Sequence, residues 1–415
     1  MRSFLFIVTE SRSANGICTA AVIDELVKMG HRVSVLTQRE RGMEREFLRD
    51  GVLYRTVAPR LSYRLAKRGQ RGGLLGRIAS LLSRLISRAE SLLSYPTWPL
   101  VSLPLASRYK RAARRMAKKE KFHTVVPVYT QIDALIAAAA LKRSCPEVKL
   151  VPYLLDGFSA GHSPKHLSRE WAVKRCLKWE KKLFSKADRI IMMESARAHY
   201  DALGEKGIFP DYLGRTVFLD LPLYSPREGE VPGGGGIAYF GSLPLAVRDP
   251  RPFLDLFMKS EGDLTLTLVG TGADELLSDY VRRDPRIRVL PAVSHEEAIR
   301  MMGEADFLLN FGNSLTYMTP CKIFEYASFG KPIISTMPID NEPGSAYLKD
   351  YPLALLLRDS DPAEERLASL SRFLSENKGR RVDLSELREL YPNCRPRVTA
   401  QEILSAGEDA DVRVK

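Results

Sequence analysis

The sequence predicts an α/β protein built of two doubly wound, parallel-sheet units that face a central cleft, and three observations carry that expectation. Short apolar runs alternate with helical patterns along most of the 415 residues. A proline- and glycine-rich run interrupts the alternation, and the alternation then starts afresh. With 45% hydrophobic and 27% charged residues, the chain can bury cores for two domains of ordinary size.

SFLFIVT, residues 3–9, reads as the first strand. It is too short for a signal-peptide core, lacks a cleavage pattern and runs straight into polar turn residues. Ile17 to Met29 has amphipathic spacing and is stopped by Gly30. RVSVLT follows as a second strand, completing a βαβ unit. TVVPVYT, the helix IDALIAAAALK, VKLVPYLL, a basic helix from Ser168 to Lys186 and ADRIIMME repeat the theme. These make an N-terminal domain over 1–222, expected to hold the acceptor.

LPLYSPREGEVPGGGG contains the expected linker, 223–236. Beyond it come GIAYFGSL, a helix near Pro252 to Met258, LTLTLVG, a helix near Asp274 to Arg283, IRVLPAV and the helix HEEAIRMMGEA. DFLLNF, the helix in PCKIFEYASFG and KPIIST follow, making a second Rossmann-like domain over 237–395. A last helix near Thr399 to Ser405, within 396–415, is expected to pack back across the linker, with EDADVRVK frayed behind it.

The net charge of +13 is concentrated. Residues 60–121 hold sixteen Lys and Arg against Glu90 and Glu120, while the rest of the chain is balanced at 47 basic and 48 acidic residues. Such a patch points to an anionic partner: lipid headgroups, a phosphorylated acceptor or, the least expected of the three, nucleic acid. The five cysteines, Cys18, Cys145, Cys176, Cys321 and Cys394, are scattered without a CxxC pair. That argues against a disulfide framework or zinc site and fits a reducing cytoplasm. No stretch reaches the ~20 apolar residues of a membrane span.

PCKIFEYASFGKPII, Pro320 to Ile334, joins a helix start, one carboxylate, a glycine stop and a new strand. Thr319 is placed as N-cap and Pro320 as the first helical residue, presenting N–H groups suited to a diphosphate. Two readings stand for Glu325: its two oxygens complement neighbouring ribose hydroxyls, or it is an ordinary helix glutamate. Gly330 ends the helix and Lys331-Pro332 launches the next strand.

This segment resembles the signature of glycosyltransferase family 4, a run of Glu, Ala, Gly and Pro met here by Glu325, Ala327, Gly330 and Pro332 in the spacing Glu-x-Ala-x-x-Gly-x-Pro. YFGSLPLAVRDP, LTLVGTG and VLPAVSHEEAIRMMGEADFLLN extend the likeness over residues 236–392. The resemblance implies a GT-B type enzyme that transfers a sugar from a UDP- or GDP-linked donor, with retention and no metal or other cofactor. It implies Glu325 on the ribose, the stretch Thr319, Pro320, Cys321 and Lys322 on the diphosphate, and Gly241 and Ser242 beside the donor. Arg248, with Arg251 or Lys322 as second cation, would offset charge on the leaving diphosphate; the alternative for Arg248 is a surface arginine beside Asp249. The family commonly carries a second glutamate eight positions before the first. Tyr317 stands there in this chain, so Asn313, Ser314, Thr316 and Tyr317 are expected to supply contacts to the donor sugar.

On the N-terminal side, Asn15 and Gly16 precede the first helix and would let its end approach the leaving phosphate, or simply form a turn. Asp156 ends the strand KLVPYLL, where the family keeps a catalytic or acceptor-orienting residue; an Asx turn with Gly157 is the alternative. His162 and His166 lack a third ligand at metal-binding spacing, and Thr130, Gln131 and Ser195 are further strand-end candidates. The DSD at 359–361 reads as a helix cap rather than a metal-binding DxD.

In GRIASLLSRLISRAESLL, helical spacing places Ile78, Leu81, Leu82, Leu85, Ile86, Leu92 and Leu93 on one face, Arg77, Arg84 and Arg88 at its rim, and Ser80, Ser83, Ser87 and Ser91 opposite. Either this is an interfacial helix for an anionic membrane, or the apolar face packs on the domain core. The first reading makes the protein a peripheral enzyme at the inner face of the cell membrane, acting on a lipid-linked or polysaccharide acceptor. A nucleotide-sugar epimerase and a non-enzymatic basic membrane-binding protein are the competing functions.

Overall fold

Ser3–Val8 (β1) is buried at every position, as a strand covered on both faces must be. It lies inside the first of two sheets in the computed structural model, which describes residues 1–10, 13–40, 42–69, 72–161, 167–228, 234–316 and 318–406. The chain divides into two compact units: Met1–Pro222 with the residues from Pro396 onward, and Leu223–Arg395.

In the first unit β1 is followed by α1 (Ala14–Lys28), β2 (Arg32–Gln38), β3 (Glu46–Arg49) and β4 (Val52–Val57). Three helices come next: α2 (Leu61–Gly69), α3 (Gly73–Leu93) and α4 (Leu103–Lys119). Then come β5 (Thr124–Tyr129), α5 (Ile132–Ser144), β6 (Lys149–Leu150) and β7 (Tyr153–Leu154). The series closes with α6 (Arg169–Phe184), β8 (Ile190–Met193), α7 (Arg197–Glu205) and β9 (Thr216–Leu219). Among the described residues the sheet order is β3-β4-β2-β1-β5-β7-β8-β9, with β6 also pairing to β5. Only the β3–β4 pair is antiparallel among the described residues. This hairpin is absent from the sequence-based expectations, although its turn, Asp50-Gly51, has φ of 50° and 76°. An Asp-Gly pair with both φ positive is the strongest short-range hairpin signal.

The second unit contains β10 (Ile237–Phe240), α8 (Arg251–Lys259), β11 (Leu266–Val269), α9 (Asp274–Arg283) and β12 (Ile287–Leu290). It continues with α10 (His295–Glu304), β13 (Phe307–Phe311), α11 (Lys322–Ala327), β14 (Ile333–Met337) and α12 (Ser345–Leu348). β15 (Ala354–Arg358), α13 (Ala363–Asn377) and α14 (Leu384–Glu389) complete it. Its strands run in parallel in the order β12-β11-β10-β13-β14-β15. One core gathers Leu5, Ile7, Leu36, Tyr109, Phe184 and Tyr212; the other gathers Ile237, Phe253, Phe257, Phe307 and Phe311.

Each sheet reverses its winding at one place. In the first unit the chain steps from β1 outward to β2 and later resumes on the other side at β5; in the second it steps from β10 to β11 and resumes at β13. The C-terminal ends of β1 and β5, and of β10 and β13, are therefore the switch points where ligands of such sheets bind.

Several expected boundaries move. α1 begins at Ala14, capped by the Ser13 side chain, so Asn15 and Gly16 sit within its first turn rather than before it. α11 begins at Lys322 with Cys321 at its N-cap, two residues later than the Thr319-Pro320 start. The preceding loop is tied back by the Asn313 amide, which donates to the Met318 carbonyl, so the chain turns into helix only after it is released. The N-cap of α13 is Pro362, not an aspartate of the DSD; Asp359 pairs with Arg366 at 3.3 Å.

The expected linker belongs, where described, to the second unit. Tyr224 is fully buried and donates through its hydroxyl to the Leu387 carbonyl, and Ser225 N donates to Ser328 Oγ at 2.9 Å. Residues 229–233 lie outside the described residues. Asp306 then receives Gly234 N at 2.8 Å and Gly236 N at 3.1 Å. A Cβ on Gly236 would collide with the Thr265 carbonyl, and its φ is +68°. The glycines serve close backbone approach here.

α15 (Pro396–Ser405) returns to the first unit. Glu402 pairs with Arg189 at 2.7 Å and the Leu404 carbonyl accepts from Arg2 at 2.8 Å. The tail EDADVRVK lies outside the described residues.

α3 presents its small side inward. Gly76, Ala79 and Ser83 are its buried residues, while Leu74, Leu75, Ile78, Leu81, Leu82, Leu85, Leu92 and Leu93 are exposed. The expectation that its apolar face packs on the domain core is not met, because the side of α3 that meets Ser62 and Gly69 of α2 is the one that carries Gly76 and Ser83.

Candidate active site

The second unit's switch point is braced by a chain of hydrogen bonds that starts at a carboxylate. Glu342 is 1% exposed; its Oε1 accepts from Asn313 N at 3.1 Å and its Oε2 from Ser345 N at 2.8 Å. Burial raises its carboxyl above the ordinary range, and the backbone donors of Asn313, Ser345 and Gly344, with Arg248, oppose that. Gly312 lets the strand end lie against this carboxylate, since a Cβ there would collide with the Thr336 carbonyl and crowd Glu342 Cγ.

Asn313 passes the constraint on. Fully buried, it accepts from Arg248 Nε at 2.7 Å through Oδ1 and donates to the Met318 carbonyl through Nδ2. The expectation that Asn313 touches the donor sugar meets a fully buried amide whose Oδ1 holds Arg248 and whose Nδ2 holds the loop. Arg248 also donates to the Ser242 carbonyl at 3.4 Å, and that carbonyl accepts from Tyr239 Oη at 3.0 Å. Of the two arginines near Asp249 it is Arg251 that pairs with it, at 2.6 Å, while Arg248 is half-buried against Asn313. Gly241, with φ +139°, continues the β10 pairing through its N–H to the Val269 carbonyl at 3.0 Å.

Glu325 is not alone. It is buried, and its Oε2 receives Lys322 Nζ at 2.6 Å within the same helix. Oε1 has no partner among the described residues. Burial pushes the Cys321 thiol up; Glu325 adds to this, while Lys322 and Arg248 act against it. The thiol thus senses the Glu325–Lys322 pair and the Arg248 fork together. Pro320 is buried, Thr319 half-buried and Thr316 exposed on the loop between them; Tyr317 lies outside the described residues. Ser314 N joins this loop to the Val247 carbonyl at 2.9 Å.

The first unit's switch point joins different groups. Gln131 Nε2 donates to Glu10 Oε1 at 2.9 Å, linking the ends of β5 and β1. Asn15 Nδ2 donates to Asp156 Oδ2 at 2.5 Å, linking α1 to the turn after β7. Solvent reaches Asp156, yet the protein crowding its rim raises the carboxyl above its ordinary range, with Asn15 opposing. The Gly16 N–H donates to Ser13 Oγ at 3.2 Å, so the expected approach of a phosphate to Gly16 meets an N–H already engaged. Thr130 Oγ1 is buried without a partner among the described residues, and Ser195 sits half-buried in the turn Glu194–Ala196. His162 and His166 lie outside the described residues. No group of His, Cys, Asp and Glu among the described residues could hold a metal ion.

The sequence reading missed two supporting carboxylates. One is Glu342; the other is Glu180, fully buried, which accepts from Ser159 N at 2.8 Å, Tyr200 Oη at 3.2 Å and Tyr212 Oη. Burial raises Glu180, opposed by these donors. It anchors the turn that carries Asp156. Beside it, burial, Arg169 and Lys206 pull the His199 imidazole down to about 4. A lone Glu inside the helix WEKKLF carries no sequence signal, but Glu342 stands in NEPG just after a strand, where strand-end carboxylates merit a place among candidates.

No family model matches the chain, and no curated protein matches it. Solved structures do match. Lipopolysaccharide outer core galactosyltransferase WaaB, in its apo form, aligns over 99% of this chain and 100% of its own, at 12% identity and a TM-score of 0.57. Anabaena Alr3699/HepE, in complex with UDP and glucose, aligns over 100% and 99%, at 12% identity and a TM-score of 0.56. A candidate UDP-N-acetylglucosamine 2-epimerase from Listeria monocytogenes aligns over 100% and 97%, at 10% identity and a TM-score of 0.52. At such identity the fold is what is shared: two Rossmann-like units in one chain, the GT-B type. That fold serves more than one chemistry, so the site has to choose between them.

Proposed function

We propose that the chain is a glycosyltransferase of the family 4 type. It takes a sugar from a UDP- or GDP-linked donor and passes it to a lipid-linked or polysaccharide acceptor in cell-surface glycan assembly. The observation that carries this reading is the Arg248 fork, held by Asn313 and Ser242 at the β10–β13 switch point, with the Lys322–Glu325 pair at the start of α11. Both cations would stabilise charge growing on the leaving diphosphate, and a fork fixed in advance costs no reorganisation when that charge appears. Glu325 would accept from the ribose hydroxyls, Gly241 would admit the donor to the β10 edge, and Asp156 would orient the acceptor. Retention and independence from metal come with the family resemblance. The fold likeness to glycosyltransferases supports the class; the epimerase shares the fold but has no counterpart reading in the described side chains.

We place the enzyme at the inner face of the cell membrane. Among the described residues no helix is long and apolar enough to cross a membrane, but α3 turns its leucines outward within the segment that carries the whole basic excess. An apolar face rimmed by Arg77, Arg84 and Arg88 suits an anionic bilayer, at about 1 kcal/mol per well-placed charge. Vesicle sedimentation tests this: binding to neutral vesicles as strong as to anionic ones at low salt, or binding indifferent to replacing the three arginines with serine, removes α3 as the contact.

Incubation with a panel of nucleotide-sugars, read by nucleotide release, tests the activity. Slow hydrolysis of one donor is expected. Interconverted sugars would mark an epimerase, and no turnover alongside vesicle binding would mark a non-enzymatic membrane protein.

A further inference from the structure

A pocket of about 390 Å³ lies at the C-terminal ends of β2 and β4, outside the groups used above. Arg39 and Glu40 supply one wall, Ala58 and Pro59 another, and α2 closes it with Tyr63, Arg64, Lys67 and Arg68. α2 is two-sided. Through Ser62 and Gly69 it holds α3: Ser62 Oγ donates to Glu90 at 2.8 Å, and the Ser62 carbonyl accepts from Ser83 Oγ at 2.8 Å. Helical spacing puts Arg64, Lys67 and Arg68 on the opposite arc.

The other walls are fixed as well. Arg39 Nε donates to Thr56 Oγ1 at 3.0 Å and its N–H to the Val57 carbonyl at 2.8 Å. Arg108 Nη1 donates to the carbonyls of Ala58 and Pro59, both at 3.0 Å, which pins the loop from α4. Four cations thus share a cavity with Glu40 as its carboxylate, and Arg64, Lys67 and Arg68 enter no ion pair among the described residues. Like charges gathered this way repel unless an anion lies among them. Guanidinium forks match phosphate oxygens two at a time, and a lysine adds a point charge. The cavity is of ordinary ligand size and lies at strand C-terminal ends, beside the β1–β5 switch point rather than in it.

We infer that this pocket binds a phosphate or diphosphate ester carried by the acceptor, so that the enzyme's acceptor is a phosphorylated molecule. The link to an acceptor rests on the transferase reading; the anion site does not.

Calorimetric titration of the full chain with inorganic pyrophosphate tests the site, using wild type, the double variant R64Q/K67Q and R248Q. Saturable binding that weakens at least tenfold in R64Q/K67Q and persists in R248Q is expected. The inference is overturned if R64Q/K67Q, with unchanged circular dichroism, binds pyrophosphate as wild type does, or if all binding disappears in R248Q. Glucose 1-phosphate and vesicles containing phosphatidic acid form two further arms, and a tenfold loss in either identifies a soluble or a lipid source; no loss in both overturns the acceptor role. Donor hydrolysis is read separately. If pyrophosphate binding follows Arg64 and Lys67 while no nucleotide-sugar is turned over, the transferase reading falls and the anion site stands.

Discussion

At the end of β13, Glu342 receives N–H donors on both oxygens, and Asn313 has both amide atoms bonded. At the end of β5, Thr130 Oγ1 and, just inside α5, Asp133 Oδ1 are buried with no partner among the described residues. In the second unit the chain from Glu342 through Asn313 to Arg248 is therefore bonded at each link and fixes one arginine, whereas the first unit's switch point holds buried side-chain atoms without a partner among the described residues. Saturated networks hold a single geometry, and a site that needs no ordering loses less free energy on binding. The contrast would suit the proposed transferase, with one nucleotide donor and an acceptor whose surroundings adapt.

The comparison breaks most directly at Glu342. Glu342→Leu leaves the Asn313 N–H buried and unpaired, while the Ser345 N–H keeps the backbone carbonyl of residue 342 at 3.1 Å, and should lower stability by about 2 kcal/mol at the usual penalty for an orphaned group. Denaturant melts read this, and a loss below about 1 kcal/mol would show the network to be slack. Arg248→Ala tests what the network holds. Removing one preorganised donor should lower kcat by about 100-fold and change donor affinity less; steady-state kinetics that show weakened binding with turnover intact would make it a docking residue. Glu325→Ala should weaken nucleoside diphosphate binding by about 1.5–3 kcal/mol, and unchanged affinity by calorimetry would end the ribose assignment.

The smallest effect sharpens the other side. Burial raises the Asp133 carboxyl from 3.8 to about 6, with Arg60 opposing. The folded state then binds the proton more tightly than the unfolded state, so stability is greatest below pH 3.8 for this group and falls as pH rises toward 6. The loss should be about 1–2 kcal/mol, allowing for relaxation around the site. Asp133→Asn should flatten that limb of the stability-versus-pH curve; an unaltered limb would mean the unpartnered oxygen is solvated after all.

How much of this the sequence disclosed follows from the range of the interactions. Both sheets and the position of Glu325 are written in local periodicity, because buried parallel strands must be apolar at every position and their helices amphipathic. The start of α11 is not local: it depends on Asn313 reaching Met318 across a loop. Nor is the Arg248 brace, whose partner lies 65 residues away. Glu342 and Glu180 were invisible for the same reason, since a carboxylate's burial is set by what surrounds it in space. The two faces of α3 were legible, but which face turns inward depended on the narrow fit to Ser62 and Gly69 of α2.

The return of α15 bears on how the protein is made. Its contacts to Arg189 and Arg2 join the last described helix to the first strand's entry, so the first unit encloses the second in sequence. On the ribosome, residues 1–222 emerge long before α15, which packs on α1, and that face of α1 stays uncovered while the entire second unit is synthesised. Units of this size can fold alone, so the inserted one is free to finish first, and a chain that stalls before residue 396 would leave the unit begun earliest as the unfinished one.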